Sequence, residues 1–160
     1  MYVLDSSVFI QAGRSYYAFD LAPGFWNALI QHAQAGKVRS IDRVEEEINR
    51  GNDELKKWAQ QHFHPYFEST KQGIVIDAYT EVIEWAHHQT QFTAEAKDEF
   101  NHNADAWVIA YAKAKKGTVV SQEVYNPAVR RRIPIPNVCK ALGVKCIDTF
   151  QMLRDLGVKL

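Results

Sequence analysis

The chain opens on the apolar run Tyr2-Val3-Leu4, which stops abruptly at Asp5. Comparable strand-like runs recur at Val38–Ile41, Gly73–Ile76, Thr118–Val120 and Lys145–Ile147. Short runs of this kind, bounded by polar residues or glycine, predict buried strands. Helical patterns lie between them. Phe25, Leu29, Ile30 and Ala33 follow a 3.6-residue period, with Pro23 at the entry and Gly36 as the stop. Asp42 is placed to cap a helix carrying Val44 and Ile48 and ended by Gly51, and Asn52 or Asp53 to cap another carrying Leu55, Trp58 and Ala59. Tyr79, Val82, Ile83 and Ala86 form a further stripe, as do Ala104, Trp107, Val108 and Tyr111. Strands alternating with helices predict an α/β fold, with a mainly parallel sheet of about five strands flanked by helices. The segment from Val124 to Pro136 reads as an irregular loop, since its prolines disfavour a helix interior.

Composition narrows the class. With 160 residues, 46% hydrophobic and 24% charged, the chain is expected to form one domain over residues 1–160 with a substantial core. The formal net charge of +0 gives no global basic field, although acids in a cleft and bases on its rim would cancel in that sum. Cys139 and Cys146 read as thiols rather than as a disulfide or half a zinc site. No apolar stretch approaches the roughly 20 residues of a membrane span, and Met1 leads directly into a strand. A reducing cytoplasm is the expected compartment.

Four acids stand out by position. Asp5 ends the first strand, where open α/β sheets hold ligands, although a plain helix cap is an equally good reading at that place. Of Glu45, Glu46 and Glu47, only Glu47 lies at the margin of the helix face that buries Val44 and Ile48. Asp105 is the single acid in the otherwise apolar helix Asp105–Ala112, in its first turn, where the dipole tolerates negative charge. Glu123 follows the run Thr118–Val120, much as Asp5 follows the first strand. Carboxylates gathered at one sheet edge repel unless a cation joins them, and oxygen-only ligands suit Mg²⁺ or Mn²⁺. The six histidines, His62, His64, His87 and His88 among them, lack the flanking ligands of a zinc site.

At this point the chain resembles the PIN-domain ribonucleases, the family that includes the VapC toxins. The resemblance is carried in order by Val3-Leu4-Asp5-Ser6-Ser7, by Glu47-Ile48-Asn49-Arg50-Gly51, by Ala104–Ala110 and by Val119-Val120-Ser121-Gln122-Glu123. Ile135–Cys139 and Ile147–Phe150 further resemble an uncharacterised prokaryotic branch of PIN-like proteins. The resemblance implies a three-layer fold with Asp5, Glu47, Asp105 and Glu123 as the catalytic metal ligands, Ser7 and Ser121 in support, and one or two divalent ions. It also implies an RNA substrate, a cognate antitoxin and a homodimer. Many relatives carry Asp where this chain has Glu123. Glu46 or Glu54 takes the place of Glu47 if the helix register differs, and Asp98 and His102 share a face with Asp105 if that helix extends further back.

The expected activity is metal-dependent hydrolysis of RNA phosphodiester bonds. Arg130, Arg131 and Arg132, with Lys116, Lys113, Lys115, Arg14 and Arg50, are candidate phosphate contacts. One alternative is a catalytically degenerate module that binds RNA or a protein. A haloacid-dehalogenase-like phosphatase is weaker, because Ser7 stands where that chemistry wants a second Asp.

Overall fold

The computed structural model describes residues 1–51 and 53–160. Its sheet has five parallel strands: β1 (Tyr2–Leu4), β2 (Val38–Ile41), β3 (Phe67–Glu68), β4 (Thr118–Val120) and β5 (Cys146–Ile147). Their order across the sheet is β3-β2-β1-β4-β5. Successive side chains of a strand point to opposite faces, and Val3, Leu4, Val119 and Val120 are all fully buried. Both faces are therefore covered by helices, as a parallel sheet requires.

The helices are α1 (Ser6–Gln11), α2 (Pro23–Gln34), α3 (Asp42–Asn49), α4 (Glu54–Trp58), α5 (Gly73–His88), α6 (Ala94–His102), α7 (Asp105–Lys115), α8 (Ile135–Leu142) and α9 (Thr149–Asp155). Central α7 buries Ala106 and every residue from Val108 to Ala112. It packs along α5, where Tyr79 stacks on Trp107 with centroids 3.7 Å apart. Gly36 adopts the left-handed conformation just past α2, as its place as a stop predicts. Asp53 caps α4, accepting from the Lys56 amide at 3.1 Å; Asn52, the alternative cap, lies outside the described residues.

Three expectations about elements are corrected. Gly73–Ile76 is the first turn of α5 rather than a strand. Val75, Ala78, Val82 and Ala86 are buried at spacings of three and four while Ile74 and Ile76 face solvent, so the run belongs to a helical stripe. The strand on that side is Phe67–Glu68, which pairs with Ser40 and Ile41 and is too short to show alternation. The loop after β4 ends sooner than expected: α8 starts at Ile135, and Pro136 sits in its first turn, where no amide donor is needed. Finally, α6 stops at His102 and extended Asn103 separates it from α7. Asp98 and His102 consequently pair with each other at 3.5 Å on an exposed helix and do not share a face with Asp105. Among the described residues, no helix is long and apolar enough to cross a membrane. Cys139 and Cys146 are free thiols.

Candidate metal centre

The chain proceeds from β1 to β2 to β3 on one side of the sheet, and β4 and β5 lie on the other. The order reverses between β1 and β4, and ligands of open α/β sheets bind at the carboxyl ends of strands flanking such a reversal. Asp5 follows β1 and Ser121 follows β4, and the Asp5 amide donates to Val120 O at 3.0 Å. The two strand ends are thereby held side by side.

Asp5 is 2% exposed, and its backbone occupies the cap position of α1, yet its carboxylate makes no capping hydrogen bond. Capping alone therefore does not account for this residue. Its Oδ2 instead accepts from Ser7 Oγ at 2.6 Å and from Ser121 Oγ at 3.0 Å. Each serine is in turn polarised by a backbone donor: the Gln122 amide reaches Ser7 Oγ at 3.0 Å, and the Glu123 amide reaches Ser121 Oγ at 3.1 Å. Both hydroxyls are thus directed to donate to one carboxylate oxygen. The other oxygen, Oδ1, takes a longer hydrogen bond of 3.4 Å from Ser6 Oγ, and the neighbouring Ser6 and Ser7 amides also favour the charged carboxylate.

Asp105 is the first residue of α7, where the helix dipole favours a negative charge. Its amide donates to Asn103 Oδ1 at 2.9 Å. Glu123 reaches back across the loop, with Oε2 accepting the Ile135 amide at 3.2 Å at the start of α8 and Oε1 pairing with Arg132. Ligand oxygens of Asp5, Asp105 and Glu123 all lie within 4.8 Å of one another.

Burial at this edge leaves its mark on protonation. Burial, followed by the charges of Asp5, Glu123 and Glu47, holds Asp105 well above the ordinary carboxyl value, with Arg132 opposing. Burial likewise raises Asp5, against the hydrogen bonds from Ser7 and Ser121. Burial and then the Asp5 charge raise Glu123, opposed by the Ile135 amide and by Arg132. Three acids buried or half-buried side by side, each reluctant to ionise chiefly because of that burial, are a donor set expected of a divalent-cation site. The residues present fit Mg²⁺ or Mn²⁺.

The remaining candidates divide. Glu47 is outside the three-acid group; its Oε1 accepts the Ala104 amide at 2.8 Å, beside Asp105. The adjacent acids point elsewhere, with Glu45 meeting His64 and Glu46 facing solvent. Glu54 is exposed at the start of α4 and is not in the group either. Arg130 and Arg131 are exposed on the loop, whereas Arg132 lines the cleft over the acids. Lys116 lies at the amino end of β4, across the sheet from the acid cluster; Lys115 holds Gln72 and Lys113 holds Glu81. The cleft, about 550 Å³, is also lined by Ser6, Ile10, Gln11, Arg14 and Ser15. The grip of Arg132 on Glu123 escaped the sequence because nothing periodic links a loop arginine to an acid nine residues before it.

A family model described as a domain of unknown function, DUF4411, matches residues 2–160. No curated protein matches the chain. Among solved structures, a chain of the crystal structure of FitAcB from Neisseria gonorrhoeae is similar, with a TM-score of 0.56 and 16% sequence identity. That similarity covers 92% of this chain and 96% of the other. At such identity it shows the shared α/β fold.

Proposed function

This chain belongs to the DUF4411 family, and from that premise we propose that it is a PIN-like, divalent-metal-dependent ribonuclease, the toxin of a toxin–antitoxin pair. The observation that carries the reading is the convergence of Asp5, Asp105 and Glu123 at the point where the strand order reverses. Bound Mg²⁺ or Mn²⁺ would supply an activated water and neutralise charge on the scissile phosphate. Asp5, Asp105 and Glu123 would hold the ion, with Glu47 ordering the backbone at the entry to α7 through the Ala104 amide. Ser7 and Ser121 keep Asp5 in one orientation, so its more weakly held oxygen needs little reorganisation on binding. Arg14 and Arg132, on the walls of the cleft, would contact the RNA phosphates. The toxin role, with its antitoxin partner, is supported by the resemblance to VapC toxins carried by these same motifs.

Asp5→Asn is the direct test, because it removes a charge at nearly constant shape. Cleavage of single-stranded RNA in Mg²⁺ or Mn²⁺ should fall to background while the folded state is retained by circular dichroism. Wild-type cleavage by Asp5→Asn would refute the site.

One observation favours a second reading, a module that binds RNA or a protein without cutting. Arg132 already supplies a positive charge to Glu123, whose two oxygens are both engaged. Thermal melting separates the two. A ribonuclease site should gain about 2.7 kcal/mol of stability from Mn²⁺ at a hundred times its Kd. A site neutralised by Arg132 should show no shift at millimolar Mn²⁺.

A further inference from the structure

Glu54, an alternative metal ligand on sequence grounds, lines a second cavity of about 380 Å³ together with Ile10, Arg14, Phe19, Ile48 and Leu55. Ile10 and Arg14 also line the cleft above the acids, so the two spaces share a wall. Glu47 borders this second cavity as well, while its carboxylate reaches the amide next to Asp105. The volume is that of a small-molecule site.

Its chemistry limits the occupant. Ile10, Phe19, Ile48 and Leu55 present apolar walls, which suit a flat heterocycle and do not suit a phosphate. Asp53 and Glu54 add negative charge, which repels phosphate further. Asp53 is held by its cap on α4 and Glu47 by the Ala104 amide, whereas Glu54 has no side-chain hydrogen bond among the described residues, which makes it the least committed acceptor on this wall. Arg14, on the shared wall, is placed for the phosphate that joins the two sites.

We infer that this cavity is a nucleobase subsite, taking a base of the RNA beside the bond cut at the acid cluster and preferring bases that carry an amino group over uracil. The identity of the ligand as RNA rests on the ribonuclease reading. A carboxylate accepts from the amino groups of cytosine, adenine and guanine. Uracil offers a single N–H flanked by two carbonyl oxygens, which a carboxylate repels. Glu54 is thus a specificity residue rather than a metal ligand.

Neutral nucleosides test the subsite without phosphate, metal or cleavage. Methyl signals of Ile10, Ile48 and Leu55 are followed by NMR while cytidine, adenosine, guanosine and uridine are titrated separately. At least one amino-bearing nucleoside should saturate them at about a tenfold lower concentration than uridine, the scale of one well-placed base contact. Glu54→Gln should remove that preference, and Asp5→Asn should leave it intact, so failure of the subsite and failure of the metal site are read separately. Absent methyl shifts with all four nucleosides would overturn the inference, as would a ranking that Glu54→Gln leaves unchanged. A Glu54→Gln protein that loses only a bound protein partner, with nucleoside discrimination intact, would overturn it too.

Discussion

Asp5 and Glu123 follow adjacent parallel strands, yet their carboxylates are employed differently. Two polarised serines hold one oxygen of Asp5, while the other takes a longer 3.4 Å contact from Ser6. Both oxygens of Glu123 are occupied, by an arginine and by a helix amide. The same selectivity governs the run Glu45-Glu46-Glu47. Successive helical residues are about 100° apart, and the three acids meet a histidine, solvent and the Ala104 amide respectively. Glu47→Gln should lower RNA cleavage by at least tenfold, because it weakens the bond that sets the entry to α7 and removes a charge beside Asp105. Glu45→Gln and Glu46→Gln should stay within about twofold of wild type. Steady-state cleavage of one RNA by the three variants decides this, and an inactive Glu46→Gln with an active Glu47→Gln would refute the assignment.

At the scale of elements, the turn from α7 into β4 shows how a helix stop and a close approach fall on different residues. Glycine is the residue that most readily ends a helix in the left-handed conformation, yet here Lys116 takes it, with φ of 56°, just ahead of Gly117. Gly117 is needed for another reason: an added Cβ would lie 3.1 Å from Met1 O and 3.3 Å from a Val3 methyl. It allows the turn to pass against β1, which aligns β4 and so brings Ser121 and Glu123 beside Asp5. Gly117→Ala should destabilise the protein by about 1–3 kcal/mol, as overpacking does. Lys116→Gly should stabilise it by about 1 kcal/mol, by relieving the left-handed strain. Urea denaturation of both variants measures the contrast, and equal effects would show that the turn rather than the strand contact sets the cost.

Over the whole molecule, the acid cluster sets a pH dependence opposite to that of salt-bridged carboxylates. Asp5, Asp105 and Glu123 all hold their protons more tightly when folded, chiefly through burial. Between the unfolded and folded pKa values the native state carries the extra protons. The contribution of these groups is therefore full below about pH 4, the ordinary carboxyl range, and is lost as pH rises through the folded values. In a chelator, Asp105→Asn should gain stability relative to wild type as pH is raised from about 4 toward neutrality. Parallel thermal melts check this, and a difference independent of pH would contradict the raised Asp105 value. A saturating divalent ion should reverse the order, because it stabilises the ionised cluster.

The α/β class, four of the five strands and the ordered acidic motifs were legible in the chain, because hydrophobic period and turn residues are local properties. The positions of Pro23, Gly36 and the Asp53 cap fall in the same class. Gly73–Ile76 misled because a short apolar run has no period of its own, and only packing of α5 on α7 makes it helical. Phe67–Glu68 was invisible because two residues become a strand only when Ser40 and Ile41 pair with them. Tertiary structure alone decided that Glu47 serves the Ala104 amide, that Arg132 closes on Glu123, and that Lys116 stands at the far edge of the sheet. Each depends on how elements distant in the chain are brought together. Spacing along a sequence constrains which face a residue occupies, but not what it meets there.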